Sequence, residues 1–168
     1  MIVLGVDPGI SGGIAVIEDY KLVAVYDMPT VQVPYKGKTK NKIDGKLLYK
    51  CLDLYKPNVI AIEDVHAMPK NGATSMFNFG YAAGVIYGAA CGMKKYCDVQ
   101  FVRPQTWKKH FCLIGTSKDA ARLKCIQLFP HMKDKFKLKK SSGISDASLI
   151  GFYGYFWNDI NNELITEV

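Results

Sequence analysis

The beginning of the chain alternates between short apolar runs and turns of small or polar residues. Ile2–Val6, Gly13–Ile17 and Leu22–Tyr26 have the length and the apolar character of strands, and only a few residues separate them. This pattern predicts a three-stranded antiparallel meander. The next stretch, Pro29 to Gly45, is polar and carries a lysine at every second position from Lys36 to Lys42. We interpret it as a loop.

The rest of the chain alternates between helical and strand patterns. The spacing of apolar residues and the cap-type residues predict five helices, namely Lys46–Tyr55, a long one from Thr74 or Ser75 to about Met93, a short one from Pro104, one from Ser117 to Phe129, and one from about Ser145 to Trp157. Two apolar runs, Val59–Ile62 and Val99–Val102, are typical of buried strands. We therefore predict an α/β fold with a mixed five-stranded sheet, three antiparallel strands and then parallel ones, flanked by helices in a single domain over residues 1–168.

The composition narrows the classes of partner and compartment. The formal net charge of +7 favours a polyanion, either nucleic acid or an anionic membrane surface. Ala73 to Met93, which lies within the longest uncharged stretch of the chain, is too polar for a membrane span, and we expect no membrane association. The five cysteines are scattered and form no CxxC pair, which argues against a disulfide framework and a zinc site. They predict a reducing, intracellular compartment, the cytoplasm.

Carboxylates follow two of the predicted strands directly. Asp7 and Glu63 each end an apolar strand, and ligands of α/β sheets bind at that edge. Asp146, at the predicted start of the last helix, is a third candidate. Such a cluster repels itself without a cation, whereas Mg²⁺ (or Mn²⁺ in its place) satisfies it, and two ions can hydrolyse a phosphodiester. The alternative is that Asp7-Pro8-Gly9 is only a turn.

Small, aromatic and basic residues near these carboxylates suggest DNA contact. Gly9, Gly12 and Gly13 would leave room for a phosphate backbone, and Phe77 could stack on an unpaired base unless it is buried in the core. His66 is either a general base or phosphate contact, or a structural histidine.

Two strips of lysines suggest the same partner. One runs from Lys36 to Lys46, and the other includes Lys133, Lys135 and Lys137. Both strips could track phosphates, although a solvated surface is the usual interpretation of such runs.

Six motifs along the chain resemble the RuvC-like Holliday junction resolvases, and most closely their phage and bacterial subgroup. In order they are GVDPGISGGIAV, IEDVHAMP, TSMFNFG, VRPQTWKK, SKDAARLKCIQLFP and SDASLIGFYG. The resemblance covers about residues 2–155. It implies an RNase H-like fold, a homodimer, and Mg²⁺-dependent nicking of four-way or other branched DNA in recombination, repair or the resolution of replicating DNA. It also favours a subunit interface, rather than core packing alone, for the glycines at Gly80, Gly84, Gly88 and Gly92.

The resemblance also implies roles for individual residues. Asp7, Glu63 and Asp146 match three acidic metal ligands of the family and would be catalytic. Lys118 matches a basic position near the scissile phosphate and would be catalytic as well as DNA-binding. Lys108 matches a second such position, and with Lys109 in the same motif it would bind DNA.

One departure from the family concerns the last motif. The family usually has a further Asp or His three or four residues before the position of Asp146, where this chain has Gly143 and Ser142. Ser142 would be a weak metal ligand, and Asp134 is an alternative to it. The chain is then either a nuclease with a loosely held second ion or a catalytically weakened junction-binding protein.

A different class of enzyme shares the first motif. Actin-like and sugar-kinase ATPases also begin with a strand, Asp-x-Gly and a hairpin. They need two such domains and an adenosine site, and this chain has room for one domain.

Overall fold

The computed structural model describes residues 1–65, 72–93 and 97–166, with side chains up to residue 158. His66 therefore lies outside the described residues. The strands are β1 (Ile2–Asp7), β2 (Gly13–Glu18), β3 (Lys21–Asp27), β4 (Thr30–Tyr35), β5 (Lys38–Ile43), β6 (Val59–Glu63) and β7 (Asp98–Val102). The α-helices are α1 (Gly45–Leu54), α2 (Ala73–Gly92), α3 (Pro104–His110), α4 (Ala120–Leu128) and α5 (Ser142–Thr166), and two short 3₁₀ helices, Pro130–Phe136 and Lys139–Ser141, precede α5.

The main sheet has five strands in the order β3-β2-β1-β6-β7. β1, β2 and β3 pair antiparallel, whereas β1, β6 and β7 pair parallel. This arrangement confirms the predicted mixed sheet. Helices cover both faces, so the central strands β1, β2 and β6 are buried on both sides and are apolar almost throughout.

The prediction of a loop over residues 29–45 is wrong, because β4 and β5 form an antiparallel hairpin there. Lys36 and Gly37 both have positive φ angles, 48° and 73°, which is the backbone of the two-residue turn that suits a hairpin. The lysines at every second position were the missed signal, since side chains two residues apart in a strand share a face. Lys40 and Lys42 are half-buried on that face, whereas Thr39 and Asn41 are exposed.

Three helices begin at other residues than predicted, and α5 also continues to Thr166, past the predicted end at Trp157. α2 begins at Ala73 after Gly72, without a capping side chain, rather than at Thr74 or Ser75. α4 begins at Ala120, whose backbone N–H donates a hydrogen bond to the backbone oxygen of Ser117. Ser117 therefore precedes the helix rather than starting it. α5 begins at Ser142, three residues earlier than predicted. Asp146 therefore lies in the second turn of α5, not the first.

Helix α5 packs against the centre of the sheet at very short range. A Cβ atom at Gly5 of β1 would lie 2.1 Å from the Ala147 carbonyl oxygen, and one at Gly154 would lie 2.8 Å from the Cβ of Ala61 on β6. Both positions exclude any side chain, because real Cβ atoms do not approach so closely. This contact fixes α5 over the strands that end in Asp7 and Glu63. None of the helices described is long and apolar enough to cross a membrane.

Candidate active site

Three carboxylates converge at one edge of the sheet. Asp7 ends β1 and Glu63 ends the adjacent parallel strand β6, where Val6 is aligned with Ile62. Asp146 reaches the same place from α5. The three side chains are half-buried and close enough to affect one another electrostatically. The sequence predicted this cluster, and the sheet topology explains it.

The cluster carries more negative charge than its surroundings can stabilise. Burial, followed by the charges of Asp146 and Glu63, raises the pKa of Asp7 to about 8, and Lys108 opposes the shift. Burial and the charge of Glu63 raise the pKa of Asp146 to about 6, again against Lys108. At neutral pH Asp7 therefore retains a proton unless a cation takes its place.

Glu63 has a partner that the sequence analysis did not assign. The indole N–H of Trp107, a fully buried residue of α3, donates a hydrogen bond of 3.0 Å to Glu63 Oε1. The hydroxyl of Tyr87 donates to the backbone oxygen of Glu63 at 3.3 Å. A buried tryptophan usually needs an acceptor for its N–H. The sequence alone could have suggested a partner for Trp107 but not which one.

Glu63 and Asp146 line a cleft of about 750 Å³ whose other walls are mostly apolar, with a few polar and basic side chains, whereas Asp7 interacts with both carboxylates without lining the cleft itself. Lys108 of α3 and Lys118, an exposed residue in the loop before α4, both line it. Ser142 and Asp146 line it together, because residues four apart on a helix lie on one face. Strand β6 stops at Glu63, so Asp64 also faces this cleft.

Contrary to the prediction from the sequence, the glycines around Asp7 do not all leave room for a phosphate backbone. A Cβ at Gly12 would lie 2.0 Å from the Asp7 carbonyl oxygen, and one at Gly13 would lie 2.8 Å from the backbone of Ile144. These two glycines therefore allow the chain to pack on itself, and the expectation that they leave room for DNA is wrong. Only Gly9, whose φ is 143°, has open space where a Cβ would be.

The structure also distinguishes the two residues at which this chain departs from the family. A Cβ at Gly143 would lie 2.3 Å from the Ser11 carbonyl oxygen, so this position has no room for an acid. Ser142 is exposed and lines the cleft. Asp134, the alternative to Ser142, does not line it and instead forms a 2.6 Å ion pair with Lys137.

The oxygen donors of the cluster suit a hard cation such as Mg²⁺. Within the described ranges, no three His, Cys, Asp or Glu side chains are arranged to hold one ion jointly. Glu63 Oε1 is already engaged by Trp107. Mg²⁺ commonly takes one or two carboxylates and keeps several waters, so Asp7 and Asp146 would suffice for one ion. The unfavourable charge on Asp7 is the feature that such an ion would relieve.

The other predicted DNA-binding residues lie outside this cleft. Phe77 is 74% exposed at the start of α2 and lines a separate, apolar cleft together with Gly9. Lys109 is exposed on α3 but does not line the acidic cleft. Lys133, Lys135 and Lys137 are exposed on and just after the first 3₁₀ helix, whose His131 ring lies 2.8 Å from the Leu22 carbonyl on β3.

Comparisons with known proteins agree with this architecture. A family model described as crossover junction endodeoxyribonuclease RuvC matches residues 3–150. Among solved structures, Thermus thermophilus RuvC in complex with a Holliday junction substrate is similar at 18% identity and a TM-score of 0.63, covering 95% of this chain and 96% of that one. The fowlpox virus Holliday junction resolvase is similar at 16% identity and a TM-score of 0.54, covering 91% and 97%.

A third similar structure is the yeast mitochondrial Holliday junction resolvase Ydc2, at 13% identity and a TM-score of 0.52, covering 89% of this chain and 77% of that one. At these identities the solved structures establish a shared fold, the RNase H-like mixed sheet. A search of curated protein sequences gave no significant match.

Proposed function

The chain belongs to the RuvC family of crossover junction endodeoxyribonucleases, and we propose on that basis that it is a Mg²⁺-dependent endonuclease that nicks four-way DNA junctions. One observation carries the proposal: Glu63 and Asp146 line a cleft together with two lysines, and Asp7 is close enough for both carboxylates to raise its pKa. The proposed role is in recombination, repair or the resolution of branched replicating DNA. The five free thiols support a reducing compartment, the cytoplasm, as its location.

The residues of the cleft divide the chemistry among them. Asp7, Glu63 and Asp146 would supply negatively charged oxygens to metal ions, and Ser142 a weak neutral one. Mg²⁺ held by these oxygens would supply activation of a water molecule and stabilisation of the leaving oxygen of a phosphodiester. Lys108, whose charge acts on both Asp7 and Asp146, would hold the scissile phosphate against the cluster. Lys118 would offset the negative charge that develops on that phosphate during cleavage.

A second candidate function is junction binding with weakened catalysis. Two observations favour it. Ser142 and Gly143 occupy the positions at which the family usually has a further acid or histidine, and no three acidic, histidine or cysteine side chains are arranged to hold one ion among the described residues. The two functions share the fold and the DNA surface, and they differ only in cleavage.

We further propose that the protein acts as a homodimer through α2. Cβ atoms at Gly80, Gly84 and Gly88 would meet nothing within 4 Å, so this stripe of small residues is not packed against the chain's own core. An open stripe on a helix lets a second backbone approach closely. A symmetric dimer would present two acidic clefts and double the basic surface.

The wider DNA contact would be mainly electrostatic. Lys109 lies next to Lys108 on α3, and Lys133, Lys135 and Lys137 are exposed on and just after the first 3₁₀ helix, which contacts β3 through His131. Contacts of this kind orient a duplex without reading its sequence. Phe77, exposed beside the loop that follows Asp7, would contact a base instead.

The test is cleavage of a synthetic immobile four-way junction, with a linear duplex of the same sequence as a control, in the presence and absence of Mg²⁺ or Mn²⁺. We expect metal-dependent nicks near the crossover in the junction alone. Asp7→Asn should abolish nicking and retain binding, whereas Asp27→Asn, at the exposed end of β3, should behave as the wild type. Nicking by Asp7→Asn at the wild-type rate would refute the metal site. Binding without any nicking by the wild type would favour the second function.

A further inference from the structure

A second cleft, of about 230 Å³, lies between the β4–β5 hairpin and the start of α2. We call it the hairpin cleft. Lys40 to Ile43 of β5 form one wall, the first turns of α2 form the other, and Gly9 and Ile10 lie at its end. It exists only because residues 30–43 fold as a hairpin. The sequence analysis therefore did not anticipate it.

The walls combine aromatic rings with positive charge. Phe77, Phe79 and Tyr81 of α2 all line the cleft and are 74%, 37% and 46% exposed. The Lys42 ammonium lies 4.7 Å from the centre of the Tyr81 ring. Lys40 donates a hydrogen bond to the Asn78 side chain. None of the residues lining this cleft is acidic.

This combination matches the chemistry of an unpaired nucleotide. Single-stranded nucleic acid is held where aromatic rings stack on bases and cations follow the phosphates, and each stacked base contributes about 1–3 kcal/mol. An apolar ligand alone would not require two lysines on the wall. A free anion would not require three exposed aromatic rings.

The position of the cleft links it to the acidic cluster. Gly9 lines the hairpin cleft and lies two residues after Asp7. No atom lies within 4 Å of where a Cβ at Gly9 would be, so the surface is open at this residue. A DNA strand with one phosphate at Asp7 would therefore have a neighbouring nucleotide beside the opening of the hairpin cleft.

We propose that the hairpin cleft holds one unpaired nucleobase of the strand that is cut, stacked against Tyr81 and its neighbouring rings, with Lys40 and Lys42 on the adjoining phosphates. The proposal rests on the proposed function and deepens it. The hairpin would thereby select branch points, where bases can leave the stack, over continuous duplex.

The experiment is photo-crosslinking of a metal-free complex, so that the DNA stays uncut. 5-Iodo-2′-deoxyuridine replaces one nucleotide at a time around the crossover of a four-way junction, and crosslinked peptides are mapped by mass spectrometry. We expect nucleotides next to the nick site to crosslink to Phe77, Phe79 or Tyr81. Tyr81→Ala should weaken junction affinity about fivefold or more, and Tyr81→Phe should restore it.

Tyr35 provides a matched control. It lies at the tip of the same hairpin, is 48% exposed, and has the Lys36 and Lys40 ammonium groups 5.6 and 5.4 Å from its ring centre, but it does not line the cleft. Tyr35→Ala should change affinity by less than about twofold. The proposal is overturned if the bound junction crosslinks only outside the hairpin cleft, or if Tyr35→Ala and Tyr81→Ala weaken binding equally.

Failure of the proposed function gives a different result. In that case the wild type does not prefer the junction to linear duplex in a mobility-shift assay. The same iodouracil scan on a single-stranded oligonucleotide then still tests the cleft. A crosslink within it supports base binding, and crosslinks confined to other surfaces overturn it.

Discussion

Replacing Asp7 by Asn should inactivate the protein and at the same time stabilise its metal-free form above neutral pH. The pKa of Asp7 is about 8 in the folded chain and 3.8 when unperturbed. The folded state therefore binds more protons than the unfolded state between these two values. By linkage, the free energy of unfolding falls as pH rises through this window, and it is constant above it.

The size of the effect follows from the shift. When the folded state binds one proton more than the unfolded state, the free energy of unfolding changes by about 1.4 kcal/mol per pH unit. Over the full window this gives an upper limit of about 6 kcal/mol for the loss of stability. That is a large part of the stability of an ordinary domain, about 5–15 kcal/mol. Asn resembles the neutral carboxyl and does not titrate, so Asp7→Asn should lack this slope.

The assay is urea unfolding of metal-free protein at several pH values between 5 and 8.5. We expect the wild type to lose stability with rising pH, Asp27→Asn to follow it in parallel, and Asp7→Asn to lose less. At pH 8, Mg²⁺ at about 100 times its Kd should raise the free energy of unfolding of the wild type by about 2.7 kcal/mol, and it should raise that of Asp7→Asn only slightly. Parallel curves for the wild type and Asp7→Asn would refute the assigned burial and charge repulsion at this site.

Three further predictions concern other parts of the molecule. Ser142→Asp should lower the Mg²⁺ concentration needed for half-maximal nicking, because it adds an anionic oxygen one helical turn from Asp146; an unchanged metal requirement in a Mg²⁺ titration would contradict this, and Gly143→Asp should give misfolded protein. Salt should weaken junction binding steeply, because log K falls with the logarithm of the salt concentration at a slope of about −0.9 for each phosphate contact. If replacing Lys133, Lys135 and Lys137 by Ala leaves this slope unaltered, these lysines are ordinary solvated surface. Gly5→Ala should prevent folding or destabilise the protein by more than about 3 kcal/mol, since its methyl group would overlap the Ala147 carbonyl; a thermal melt close to that of the wild type would refute the close packing of α5.

The residues whose positions the sequence predicted well are those that follow a local pattern. Asp7 and Glu63 each follow an apolar run, and parallel strands bring such ends together at one edge. Asp146 was assigned through its motif, and its helix proved to begin one turn earlier, at Ser142. That difference arose because the cap-type serines at 141, 142 and 145 do not distinguish one helix start from another.

The features that the sequence did not predict depend on contacts between distant segments. Trp107 and Glu63 are 44 residues apart, and only the packing of α3 beside β6 brings them into hydrogen-bonding distance. Gly12 and Gly143 are adjacent in space because α5 begins against the first turn of the chain. The hairpin cleft likewise needs β5 to lie against α2. Patterns of neighbouring residues carry no information about such pairings.

The hydrogen bond between Trp107 and Glu63 also gives the molecule a built-in optical reporter. The chain has two tryptophans, and Trp157 is 54% exposed whereas Trp107 is fully buried. A quencher such as acrylamide will therefore suppress emission from Trp157 first and leave the indole that touches the acidic cluster. Any cation that draws on the charge of Glu63 changes the field along that N–H bond and shifts the remaining emission. Binding of the proposed metal ion should therefore be measurable by fluorescence in the unmodified protein, without DNA and without turnover.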